Sequence, residues 1–175
     1  MPEAQISPVA NRLGAAALTL SDSIRDATEA ATGMAGGLPA ALVSLHEWAD
    51  GRSVDVLAGA LRVTHSRAVR VVDQLEASGL ARREPDPADG RRALVRISPA
   101  GREVAERALA ARAELLERVV ADVDKRALDR VLDAILHATT TEVAAAARTC
   151  RLCDARACGH EERRCPVTRA ADRYR

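Results

Sequence analysis

The chain has 175 residues, 47% of them hydrophobic, enough for one folded unit with an appendage, and its formal net charge is only +1. With no Phe, one Trp and one Tyr, its core must be built from Ala, Leu and Val, and because Ala and Leu are strong helix formers a mainly α fold is expected. The opening "MPEAQISPVANRLG" lacks a basic stretch followed by an apolar run, and no segment approaches about eighteen uninterrupted apolar residues. These features argue against secreted and membrane-spanning classes and lead us to expect a soluble, cytoplasmic chain with no membrane partner.

In chain order, "SPVANRLGAAALTLSDSIRDATEAATG" predicts a first helix with Val9, Leu13, Ala17, Leu20, Ile24 and Ala27 on one stripe, ended by the Gly-rich "GMAGGLP". "PAALVSLHEWA" predicts a short helix opened by Pro39 and stopped at Asp50-Gly51. "SVDVLAGAL", with Ser53 at its N-cap, and "THSRAVRVVDQLEASG", capped by Thr64 and closed by Gly79, predict two short helices around a tight turn, a helix-turn-helix layout. "LARREP" and "ALVRIS" read as strands flanking "DPADGRR", giving a β-hairpin with Arg91 and Arg92 at a basic tip. Ser98-Pro99 opens a long helix striped by Val104, Ala108, Ala111, Leu115 and Val119. A second is expected from about Asp124 to Arg148, striped by Leu128, Val131, Leu132, Ile135, Thr139 and Val143.

Positive charge is concentrated in two places. Residues 62–92 hold seven Arg against five acids and residues 148–175 eight Arg against four, so these stretches carry +2 and +4. A helical wheel of about 100° per residue puts Ala68, Val71, Val72 and Leu75 on one face of the second short helix. Ser66 and Arg70 lie opposite, Arg67 and Gln74 flank them, and His65 sits in the first turn. Such a helix suits the DNA major groove, since Arg donates twice to guanine and Ser or His can bond base edges or phosphates. A solvated helix face would look alike taken alone, but the basic hairpin directly behind it supplies a wing for the minor groove.

"LAGALRVTHSRAVRVVDQLEASGLARREPDPADGRRALVRISPAG", with its "VVDQLEASGL" helix end, "DGRR" wing and "SPAG" helix opening, resembles the winged helix-turn-helix core of the MarR family of bacterial transcription regulators. With the flanking helices the resemblance covers roughly residues 7–147. It implies a two-fold homodimer binding a near-palindromic double-stranded DNA operator, more often as a repressor, and it leaves room for a small-molecule effector between dimer and reading domains. It divides the chain into a dimerisation helix (1–37), a DNA-binding winged module (38–98), long dimerisation helices (99–148) and a tail (149–175). By position, Ser66, Arg67 and Arg70 match the family's recognition-helix contacts and Arg91 or Arg92 its wing arginine. Ser53, Thr64 and His65 are candidates for phosphate contacts. The reciprocal capping box is absent, because Arg67 stands where Glu or Gln would close it.

The tail "CRLCDARACGHEERRC" holds all four cysteines, Cys150, Cys153, Cys158 and Cys165, with gaps of two, four and six residues and His160 inside the last gap. Thiolates this close can converge on one metal without help from the rest of the fold. Zinc on four thiolates, with His160 as the alternative ligand, is the leading reading. An iron-sulfur cluster is the alternative, since four Cys suffice and Cys165-Pro166 resembles the end of some cluster-binding runs. Free or reversibly oxidised thiols remain a third reading. Either metal centre would be anionic and would draw on Arg148, Arg151, Arg156, Arg163 or Arg164, so these arginines do not require a second DNA surface.

The chain is not expected to be an enzyme. His46, His65 and His137 are scattered, His46 and His137 read as packing or surface residues, and neither an HExxH pattern nor a Gly-rich phosphate loop is present. A thiol or iron-sulfur redox protein and a winged module that binds protein instead of DNA are the competing readings. In the regulator reading, the cysteine site would make operator binding responsive to metal or oxidants.

Overall fold

A computed structural model describes residues 6–174, the side chain of Arg91 excepted. Ser7 accepts the Ala10 amide and Pro8 fills the first turn, so helix α1 (Pro8–Thr32) begins at the Ser-Pro pair; Gly33, at φ 67°, ends it. Helix α2 (Leu38–Ser44) continues through a wider π turn (Leu45–Ala49) before the chain reverses at Asp50-Gly51. Gly51 has φ 72° and donates to the Val95 carbonyl at 2.8 Å, while Asp50 Oδ1 accepts the Ile97 amide at 2.9 Å.

Strand β1 (Arg52–Ser53) has only two residues, too few for an alternation to show in the sequence. Helices α3 (Val54–Leu61) and α4 (His65–Ala77) follow, then strands β2 (Ala81–Asp86) and β3 (Asp89–Ile97). The sheet is antiparallel in the order β1-β3-β2, with Ser53 opposite Leu94 and Ala81 opposite Ile97. The hairpin forms as predicted, but its loop is shorter. Asp86 pairs with Asp89 after a register shift and Ala88 donates to Asp86 Oδ1 at 2.9 Å, which leaves only Pro87 and Ala88 between the strands. Arg91 and Arg92, expected on the turn, therefore belong to β3.

Helix α5 (Pro99–Val119) leaves directly from the hairpin base. Ser98 Oγ accepts the Gly101 amide at 3.0 Å and donates to the Gly79 carbonyl at 2.7 Å. A Cβ at Gly101 would lie 2.1 Å from the Leu80 carbonyl oxygen, so the departure of α5 requires glycine there.

The single helix expected over 124–148 is two, α6 (Lys125–Thr139) and α7 (Val143–Thr149). Three consecutive threonines account for the break. Thr139 and Thr140 turn their hydroxyls back to the carbonyls of Ile135 and Leu136, at 2.9 and 2.7 Å, and β-branched residues crowd a helix. Helix α7 then packs on α3 of the winged module instead of extending α6. A 3-10 turn (Cys150–Leu152), a looped segment and helix α8 (Pro166–Ala171) complete the tail, with α8 against α6 and α7.

The core lies under α4. Leu42, Leu45, Leu57, Leu75, Val72 and Val95 are fully buried, joining α2, the π turn, α3, α4 and β3, and Val104, Ala105 and Ala108 of α5 close it. At roughly 1.5–3 kcal/mol per buried Leu or Val, this cluster fixes which face α4 presents to solvent. Helix α1 packs on α5, but Val9 and Leu18 are 73% and 72% exposed; α6 has no buried residue, and Val131 and Leu132 are 54% and 44% exposed. Among the described residues no helix is long and apolar enough to cross a membrane.

Candidate nucleic-acid interface and cysteine lobe

Helix α4 buries the face that the wheel assigns to the core, Ala68, Val71, Val72 and Leu75, and leaves Ser66, Arg67 and Arg70 exposed on the other. Thr64 caps it, its hydroxyl accepting the Arg67 amide at 3.3 Å and lying 3.1 Å from Ser66 Oγ. His65 Nδ1 stands 2.6 Å from Asp55 Oδ1, which ties the start of α4 to α3. Ser53 occupies the N-cap of α3, but its side chain makes no capping hydrogen bond; its backbone pairs with β3 instead.

Ion pairing separates the arginines into two groups. Arg83 on β2 reaches Asp73 at 2.8 Å, pairs with Glu76 and donates its backbone amide to Glu76 Oε1 at 2.6 Å, so the wing is fastened to the back of α4. Arg82 bonds Glu84 at 2.8 Å, and Arg96 lies between Glu84 and Asp50 at 3.3 and 3.6 Å. Hydrogen bonding from Arg82, helped by Arg96, holds the Glu84 carboxyl below its ordinary pKa. Among the described residues Arg67, Arg70 and Arg92 have no carboxylate partner, and all three are exposed. The side chain of Arg91 lies outside those described. Arg62, exposed in the turn between α3 and α4 at φ 55°, adds a cation that the helical wheel had not included. The result is a set of solvent-facing guanidinium groups, Arg67 and Arg70 on a helix whose opposite side is core, Arg62 in the turn before it and Arg92 on the wing.

The cysteines gather beside this module. All four, with His160, line one largely apolar cavity of about 580 Å³ together with Trp48, Val56 and Gly59. They stand as two pairs. Cys150 and Cys153 flank the 3-10 turn, where the Cys153 amide donates to the Cys150 carbonyl at 3.1 Å, and Cys158 Sγ lies 3.3 Å from Cys165 Sγ. No three His, Cys, Asp or Glu side chains among the described residues are drawn together as the ligands of a metal. His160 Nδ1 is engaged with Thr168 Oγ1 at 2.9 Å. A side-chain hydrogen bond from Cys150 lowers the pKa of Cys153, against burial, with help from Arg112 and Arg151; the same bond and burial raise that of Cys150, and burial raises that of Cys158.

Sequence reasoning missed Arg112, a cation that α5 brings to the thiols from far along the chain. Three of the arginines expected there pair elsewhere: Arg148 with Glu142, Arg163 with Asp172 and Arg164 with Glu162. Also missed were the lobe's anchors. Glu47, its side chain only 10% exposed, accepts the Ala155 amide at 2.7 Å, and the buried Ser44 donates to the Arg151 carbonyl at 3.3 Å. The available signal was the one carboxylate in the mostly apolar run "AALVSLHEWA". His46 lies 3.6 Å from Glu47 and His137 contacts Arg173.

Residues 41–92 match the model of the MarR family. No curated protein sequence matches the chain. Among solved structures, a probable transcriptional regulator from Pseudomonas aeruginosa is 29% identical with a TM-score of 0.57, covering 73% of this chain and 98% of its own. CouR from Rhodococcus jostii RHA1, bound to p-coumaroyl-CoA, is 23% identical with a TM-score of 0.62, covering 74% and 90%. The repressor CouR bound to a 23-mer DNA duplex is 22% identical with a TM-score of 0.59, covering 71% and 87%. The match falls on the helix-turn-helix and wing described above, and the similarity of fold extends well beyond it. Residues 41–92 thus carry the sequence pattern of the MarR family, and the chain around them is similar in fold to solved transcriptional regulators.

Proposed function

We propose that the protein is a sequence-specific, double-stranded-DNA-binding transcription regulator, a repressor that acts in the cytoplasm as a two-fold homodimer on a near-palindromic operator. The observation that carries this reading is the outer face of α4, where Arg67 and Arg70 stand exposed without carboxylate partners beside a wing that bears Arg92. Arginines left unpaired by their own protein are available to guanine edges and phosphates. CouR, of similar fold, is a repressor seen on a DNA duplex.

Dimerisation follows from α1 and α6, whose apolar residues a single chain leaves uncovered. A second copy related by a two-fold axis would cover them and set two recognition helices about one DNA turn apart. A second cavity of about 680 Å³, lined by Leu20, Ile24, Pro39, Arg112 and Leu136 among others, is suited to a small effector. In this reading the chain binds and does not catalyse, and the cysteine lobe makes it responsive to metal or oxidants.

The test is selection of operator sequence from a random duplex library, followed by fluorescence anisotropy with Arg70→Ala and Arg91→Ala. Each substitution is expected to weaken binding by about 1–3 kcal/mol, with Arg70→Ala also relaxing sequence preference. Absence of any sequence-selective binding by the unaltered protein would refute the proposal.

A further inference from the structure

We propose that Cys150, Cys153, Cys158 and Cys165 bind one zinc ion, and that this ion keeps folded a lobe which clamps α6 to the DNA-reading module. The backbone brings each pair together by itself. A 3-10 turn with the Cys153 amide on the Cys150 carbonyl (3.1 Å) forms the first, and two left-handed residues, Gly159 and Arg163, turn the chain so that Cys158 and Cys165 meet. Two sulfurs sharing one ion at metal–sulfur bonds of about 2.3 Å lie about 3.8 Å apart in tetrahedral geometry. The 3.3 Å between Cys158 and Cys165 is of that order. A four-iron cluster takes one thiolate on each iron and holds them further apart, so the observed pairing argues against that cluster; a two-iron cluster, which also pairs its thiolates, is separated from zinc by the colour and iron content measured below. Both pairs face the same cavity, and a rotamer change at χ1 moves a sulfur by about 3 Å, the adjustment that would turn two thiol pairs into one ligand set.

The lobe also needs the ion. Between residues 150 and 165 only Gly159 and Cys165 are buried, too little apolar surface to hold the loop. Arg112 and Arg151 stand where they would offset the negative charge of four thiolates on zinc.

The placement of the lobe gives the ion its consequence. On one side it is bonded to the reading module through Ser44 and Glu47, with α7 on α3. On the other, α8 lies along α6, where Arg169 pairs with Asp133 and Arg173 with His137. A folded lobe therefore fixes the reading module against the dimer helix, and an unfolded one releases it. The zinc assignment stands by itself; the effect on DNA rests on the regulator reading above.

Full-length protein purified without oxygen should be colourless and carry one zinc per chain by elemental analysis. Cys153→Ser and Cys158→Ser should each lose it while circular dichroism keeps the helical signal. Removing zinc with a chelator should weaken operator binding at least tenfold, about 1.4 kcal/mol, with recovery on adding zinc alone. Glu47→Ala should retain full zinc yet show the same loss, because it removes the acceptor of the Ala155 amide without touching a ligand. Iron with acid-labile sulfide, or protein without zinc, would overturn the assignment. Metal-free protein or Glu47→Ala with undiminished operator affinity would overturn the clamp. Zinc-loaded protein that binds no operator would overturn the regulator reading and leave the ion in place.

Discussion

Replacing Gly101 with alanine tests how α5 is joined to the winged module. The new Cβ would stand 2.1 Å from the Leu80 carbonyl oxygen and 2.9 Å from Ile97 Cγ1, both parts of the hairpin base with no room to withdraw. Relief requires α5 to back away by more than an ångström, which also stretches the Ser98 cap on the Gly101 amide. Overpacking of this kind costs about 1–3 kcal/mol and loss of a cap about 1, against a gain of about 1 in helix propensity, so a net loss of about 1–3 kcal/mol is expected. Gly59 in α3 provides the control. It is exposed and a Cβ there meets nothing within 4 Å, so Gly59→Ala should be neutral or stabilising by up to about 1 kcal/mol. Urea unfolding followed by circular dichroism measures both. Equal stability of the two variants would refute the argument that close approach, and not helix propensity, selects glycine at 101.

Leu132→Asp, on the uncovered face of α6, should change the stability of a single chain by no more than about 0.5 kcal/mol yet convert a dimer to monomers by light scattering after gel filtration; unchanged mass would show that the α6 face is not the dimer contact. Arg83→Met leaves Asp73 and Glu76 without their shared partner and should cost about 1–2 kcal/mol in urea unfolding. It should also raise hydrogen exchange at the residue-83 amide, which donates to Glu76, and unchanged protection would contradict the fastening of wing to helix. The lowered pKa of Glu84 means that its pairing with Arg82 and Arg96 is fully present above the ordinary glutamate range and is lost as pH falls through the folded-state value. A carboxyl NMR titration should find Glu84 below the ordinary glutamate range and moving up in Arg82→Gln; an ordinary value in the unaltered protein would contradict this.

The reading helix was legible because its information is local. Ala68, Val71, Val72 and Leu75 recur at helical spacing, and a face so marked can only turn to the core, which leaves Ser66, Arg67 and Arg70 outward whatever the neighbours are. The hairpin and the Ser98-Pro99 helix start were equally local. The break between α6 and α7 was missed because the apolar stripe continues in register through Thr139 to Val143, while the hydroxyl bonds that end α6 leave no mark in hydrophobic spacing. The cysteine lobe was found by spacing but placed by its position in the chain, at the end of a dimer helix. Its contacts with Glu47, Ser44 and Arg112 join distant segments, and no periodicity reports them.

Those distant contacts also order events in time. Ser44 and Glu47 take their partners from residues 107 and 108 positions later. At a synthesis rate of about 5–20 residues per second, Glu47 waits roughly 5–20 s for the amide it will hold. The lobe is thus the last part of the winged module's surroundings to dock during synthesis. A contact closed over so long a loop, with so little apolar burial behind it, is among the first to open when the native chain fluctuates.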